Sequence, residues 1–99
     1  MAVSNRHEAL EVLRLIRPQF TAFAVAELAL FGSFARNEML ADSDVDVLVA
    51  FSIPPDFRTY LRVRDALTVA LGRPVDLVMT GAVKSRMRAQ IAREAVRIA

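Results

Sequence analysis

Asp44-Val45-Asp46-Val47-Leu48-Val49-Ala50-Phe51 is the stretch on which the fold turns. Its alternating, β-branched pattern reads as a strand. Val45, Val47 and Val49 fall on one face, and Asp44, Asp46, Leu48 and Ala50 on the other. Apolar side chains on both faces put this strand inside a sheet. Upstream, residues 27–31 form a short apolar run stopped by Gly32. Downstream, residues 74–80 carry Val75, Leu77 and Met79 on one face and Asp76 and Val78 on the other. Both read as further strands.

Helices fill the intervals. Asn5 and Glu8 have the spacing of a capping box ahead of Ala9, Leu10, Val12, Leu13 and Ile16, and Pro18 ends or kinks that helix. Asp56 caps a helix that runs to about Leu71 and stops at Gly72, with Tyr60, Leu61, Val63, Leu67 and Leu71 as its buried stripe. A last helix spans about 82–93, with Met87 and Ile91 as a packing stripe, and 95–99 is open between helix, strand and a frayed end. Residues 33–43 read as irregular, with room for one helical turn after Gly32. The order α-β-β-α-β-α gives an α/β (α+β) fold, a small mixed sheet with helices packed on it. Its 99 residues are expected to form one domain, 1–99.

Composition narrows the chemistry. There is no cysteine and one histidine, which removes thiolate zinc sites, cysteine nucleophiles and His-cluster metal sites. His7 reads as a surface or capping residue. No run approaches membrane-span length and the N-terminus lacks a signal-peptide core, so a cytoplasmic protein without membrane contact is expected. Twelve of the thirteen basic residues are arginine. Residues 1–83 carry net −2, whereas 84–99 hold Lys84, Arg86, Arg88, Arg93 and Arg97 against Glu94 alone. No aromatic residue interleaves with those cations, so direct nucleic-acid binding is not expected. A solvated helix face or a protein contact is.

Three acids carry the chemistry. Asp44 and Asp46, two apart on a strand, point the same way, and Asp76 lies on the next strand. Like charges on one face repel, a cost that a divalent cation removes. Carboxylates suit Mg²⁺, and paired ions clamp an in-line displacement at phosphorus. Upstream, Gly32-Ser33 offers a close backbone approach and a hydroxyl donor to phosphate. Arg36 either approaches phosphate or forms a surface salt bridge. Phe31 and Phe34 read as core rather than base-stacking residues, and Thr80 and Ser85 as caps or turn residues.

The residues Leu30-Phe31-Gly32-Ser33-Phe34-Ala35-Arg36, then Asp42-Ser43-Asp44-Val45-Asp46-Val47-Leu48-Val49, resemble the signature of the DNA polymerase β-like nucleotidyltransferases, and best their smallest branch, the minimal nucleotidyltransferases. Pro74-Val75-Asp76-Leu77-Val78 matches the third-carboxylate strand. Asn37 departs from the pattern, which usually has glycine there. Asparagine tolerates left-handed backbone better than other non-glycine residues. The resemblance implies a polymerase β-like fold and two Mg²⁺ ions held with ATP by Asp44, Asp46 and Asp76. It implies that Gly32 and Ser33 contact the phosphates and that Asp76 favours deprotonation of the attacking hydroxyl. Many members of the branch resemble antitoxins that transfer AMP to a tyrosine of a HEPN-domain toxin, so such a toxin is the expected partner. The alternatives are a non-catalytic module that neutralises a partner by complex formation, and transfer to a small molecule or RNA. So short a chain has little surface for enclosing a substrate, so the acceptor side is expected to come from another protein.

Overall fold

Residues 2–98 are described in a computed structural model. Helix α1 (Arg6–Ile16) opens as the sequence indicates, with the Asn5 side chain accepting from the Glu8 N–H at 2.9 Å. The return half of the capping box shifts by one residue. Glu8 accepts from the N–H and the hydroxyl of Ser4, at 2.7 and 2.8 Å. These bonds, the backbone one foremost, hold the Glu8 carboxyl below its usual range. α1 ends at Ile16. The chain continues as a 3-10 turn, Arg17–Phe23, with Pro18 at its start, where a missing N–H leaves nothing unpaired.

Strand β1 (Val25–Phe31) runs into the five-residue helix α2 (Gly32–Arg36), and β2 spans Val45–Phe51. Helix α3 (Phe57–Leu71) is capped by Asp56, which accepts from the Thr59 N–H at 2.7 Å, and it ends at left-handed Gly72. β3 covers Val75–Met79, α4 Ser85–Glu94 and β4 Val96–Ile98. The sheet order is β3-β2-β1-β4. β1 is antiparallel to both β2 and β4, and β2 is parallel to β3, with α3 as the crossover that a parallel pair requires. β2 is therefore interior, as its two-sided apolar pattern implies.

One face of the sheet holds the core. Val45, Val47 and Val49 pack with Leu28 and Leu30 against Leu13 of α1 and Val63, Leu67 and Leu71 of α3, all fully buried. Tyr60 and Leu61, assigned to the same stripe from the sequence, are only half-buried. Tyr60 is drawn to the sheet edge, where its hydroxyl donates to the Leu77 carbonyl. On the opposite face lie Asp46, Leu48 and Ala50. Leu48 and Ile91 of α4 are buried yet stand outside the main cluster. α4 is otherwise exposed. Met87 is 42% exposed, which corrects its assignment to a packing stripe: this helix buries a single side chain, Ile91, rather than a row. Residues 96–98, ambiguous in sequence, form β4 by pairing Val96 with Leu30 and Ile98 with Leu28; Ala99 lies outside the described residues. Among the described residues no helix is long and apolar enough to cross a membrane.

Candidate active site

The site is set by strand register. Asp46 is paired with Phe31 on β1 and with Asp76 on β3, so one row of residues crosses three strands just where β1 hands over to Gly32. In-register neighbours on parallel strands share a face at a spacing of about 4.8 Å. Asp46 and Asp76 therefore stand side by side, and Asp44 precedes them at the mouth of β2. Asp44 and Asp76 are exposed, and Asp46 is half-buried.

Gly32 is required here on two counts. Its φ of +70° lies in the left-handed region, and a Cβ at this position would meet the Asp46 Oδ2 at 2.1 Å and its Cγ at 2.9 Å. The Asp46 carboxylate occupies the space that any side chain at 32 would need. The turn closes at Asn37, φ 59°, with the Asn37 and Glu38 N–H groups donating to Phe34 and Ser33 carbonyls at 3.1 and 2.8 Å. Asn37 thus keeps the left-handed turn. Its side chain also accepts from the Arg6 N–H at 3.1 Å, tying the turn to the start of α1 in a way glycine could not. Phe34 is fully buried, as expected of a core residue, and Phe31 is half-buried.

Burial pushes the Asp46 carboxyl up to about 6, with further increments from the nearby charges of Asp76 and then Asp44, against an opposing pull from Arg36. Burial is the larger cause, and the neighbouring carboxylates add to it. Among the described residues no three His, Cys, Asp or Glu side chains converge as a ready-made cage. The donor chemistry nonetheless fits a hard divalent ion: oxygen ligands only, one of them partly desolvated, with mutual repulsion for a cation to relieve. Arg36 is engaged elsewhere. Its guanidinium bonds Glu94 at 3.0 Å and Glu38 at 3.4 Å, tying α2 to the end of α4. His7 is exposed and paired with Glu11 at 2.8 Å, a surface role as expected. Ser85 is the first residue of α4, whose N-cap position falls on Lys84 and carries no side-chain capping bond.

Sequence reasoning passed over Arg73. Its Nε donates to the Val3 carbonyl at 2.6 Å, and its Nη1 lies 3.3, 3.0 and 3.1 Å from the carbonyls of Leu40, Ala41 and Ser43. Its guanidinium carbon sits 5.1 Å from the centre of the Phe34 ring. The available signal was Gly72-Arg73-Pro74, a helix stop and a strand start that leave the intervening backbone little freedom.

A model of the nucleotidyltransferase domain matches residues 10–98, which include Gly32, Ser33, Arg36 and all three aspartates. The chain belongs to the nucleotidyltransferase domain family. Among curated relatives of this chain, one from Methanocaldococcus jannaschii, provisionally named a protein adenylyltransferase, is 44% identical over 64% of this chain. The match spans 64% of that relative, slightly less than two thirds of its length. Protein adenylyltransferase MntA of Thermococcus cleftensis is 40% identical over 75% of each chain. A solved structure provisionally described as a minimal nucleotidyltransferase superposes with a TM-score of 0.80 at 32% identity, covering 97% of this chain and 98% of that one. The mixed α/β architecture expected from the sequence is thereby borne out. A chain from the solved complex of a tri-AMPylated Shewanella oneidensis HEPN toxin with MNT antitoxin shares the fold, with TM-score 0.63 and 20% identity over 93% of this chain and 69% of that one.

Proposed function

We propose that this chain transfers AMP from ATP to a tyrosine hydroxyl of a partner HEPN-type toxin in the cytoplasm, and so acts as an antitoxin. The observation that carries the reading is the in-register pair Asp46–Asp76, flanked by Asp44 and built against a glycine whose missing side chain the Asp46 carboxylate replaces. The names of the relatives support the adenylyl group and a protein acceptor. The tri-AMPylated toxin of the more distant structure supports the partner class.

In this reading Asp44, Asp46 and Asp76 hold two Mg²⁺ ions, which supply charge neutralisation on the triphosphate. Gly32 brings its backbone close to the β- and γ-phosphates and Ser33 adds a hydroxyl donor. Arg36 gives its charge to phosphate by exchanging a glutamate partner for it. The acceptor oxygen attacks the α-phosphorus, a new P–O bond forms, and the bond to pyrophosphate breaks. Asp76, exposed at the edge of the carboxylate row, faces the incoming hydroxyl and favours loss of its proton. The chain contributes position and electrostatics rather than a covalent intermediate. The test is incubation with labelled ATP, Mg²⁺ and a partner HEPN-type toxin. Label should appear on the toxin with wild type and be lost with Asp44→Asn; transfer that survives this substitution refutes the assignment.

A second reading has an observation of its own. On α4 and just ahead of it, Lys84, Arg86, Arg88 and Arg93 are exposed and form none of the salt bridges found among the described residues. Such a face suits neutralisation by complex formation alone. Charge reversal at Arg88 or Arg93 would then weaken the complex in a salt-sensitive way, while Asp46→Asn would leave neutralisation intact.

A further inference from the structure

The geometry points to Arg73 as a positioning residue that fixes the Gly32–Ser33 turn and the loop delivering Asp44 relative to one another; its link to nucleotide binding rests on the function proposed above. The two halves of the site come from different segments. Gly32 and Ser33 begin α2, whereas Asp44 ends a loop that contributes no strand or helix. Left to itself such a loop is held by one tight turn, in which the Ser43 N–H donates to the Leu40 carbonyl at 3.1 Å and the Leu40 N–H to the Ser43 hydroxyl at 2.8 Å. Arg73 supplies what this turn lacks. One nitrogen faces three carbonyls of the turn, at Leu40, Ala41 and Ser43, so the cation sits in a cup of backbone oxygens one residue short of Asp44. The same planar group lies over the Phe34 ring in α2, two residues after Gly32 and one after Ser33. Its Nε reaches back to Val3.

The anchor itself is held firmly. Gly72 ends α3 in left-handed geometry, and the Pro74 carbonyl accepts from the Val45 N–H at 2.9 Å, which locks the start of β3 to the start of β2. Arg73 therefore stands between two pinned neighbours. A guanidinium suits this task because its rigid fork makes several bonds at once while its face stacks on an aromatic ring; an ammonium has neither property.

The experiment uses the full chain carrying Arg73→Ala, Arg73→Lys or Arg17→Ala. Arg17 serves as the control because it also donates to backbone carbonyls, those of Val25 and Ala26, at the opposite end of β1. Two quantities are read well below each variant's melting temperature: amide hydrogen exchange without nucleotide, and Mg²⁺-ATP affinity by calorimetry. Arg73→Ala should accelerate exchange at Leu40 and Ser43 together with Asn37 and Glu38, and weaken Mg²⁺-ATP binding about ten-fold. Arg73→Lys should fall between it and wild type, and covers the case in which the alanine variant does not fold. Arg17→Ala should lower the melting temperature without moving those four amides or the affinity. The inference is overturned if only one of the two segments responds, if Arg17→Ala acts like Arg73→Ala, or if affinity is unchanged while exchange rises. Wild type failing to bind Mg²⁺-ATP at all would count against the proposed function, and the exchange data would still decide the coupling.

Discussion

Asp46→Asn should make the metal-free protein more stable while abolishing nucleotidyl transfer. The Asp46 carboxyl is raised from 3.8 to about 6, so the folded chain holds its proton more tightly than the unfolded chain does. Protons bound in excess by the folded state mean that stability falls as pH rises from about 4 to about 6, and that the full cost is present above pH 6. At about 1.4 kcal/mol per unit the unscreened cost is about 3 kcal/mol. Asp46 is only half-buried, so solvent screening reduces this to about 1 kcal/mol. The amide keeps the shape and drops the charge. At pH 8 in EDTA the variant should therefore melt about 4–8 °C above wild type, as expected for a domain of this size. At pH 3, below the unfolded carboxyl's pKa, the two should melt nearly together, because the wild-type carboxyl is then mostly protonated in the folded and the unfolded chain alike. Adding Mg²⁺ should narrow the gap at pH 8 by stabilising wild type alone. Thermal melts followed by circular dichroism at the two pH values decide the matter. An equal or lower melting temperature for the variant at pH 8, or the same gap at both pH values, would refute the claim that burial of the Asp46 charge, with added repulsion from Asp76 and Asp44, costs the folded chain stability.

Two further outcomes follow from the turn between β1 and β2. Gly32→Ala should cost about 1–2 kcal/mol for left-handed backbone, with more from displacement of the Asp46 carboxylate, and should abolish transfer; denaturant unfolding and the labelled-ATP assay read the two effects. At position 37, Asn37→Gly should stay within about 0.5 kcal/mol of wild type, since eased backbone offsets the lost bond to Arg6, whereas Asn37→Ala should lose about 1–2 kcal/mol; urea midpoints for the pair test this, and equal losses would contradict it.

Much of the fold was legible because its signals are local. The alternation of Val45, Val47 and Val49 depends only on residues two apart, and Asp56 and Gly72 mark the ends of α3 whatever lies around them. Asp44, Asp46 and Asp76 could be singled out because unneutralised like charges on strands that otherwise read as apolar are costly wherever they occur. β4 was not legible. Val96-Arg97-Ile98 is too short to declare itself, and it becomes a strand only because the exposed edge of β1 accepts it. Met87 misled for a related reason. Its spacing from Ile91 is that of a buried stripe, but α4 buries only one side chain.

By itself, then, the sequence determined strands β1 to β3, helices α1, α3 and α4 and the caps at Asn5 and Asp56, and it singled out the acidic and Gly-Ser residues as candidates, since backbone propensity and side-chain period act over a few residues. Only the tertiary structure decided the rest. The parallel register of β2 with β3 puts Asp76 beside Asp46 rather than one pleat away. The approach of Asp46 to Gly32 turns a permissive glycine into an obligatory one. The long-range carbonyl contacts of Arg73 make a turn residue into a strut. Each joins segments remote in the chain, and no local pattern can record a distance that exists only after the sheet has closed.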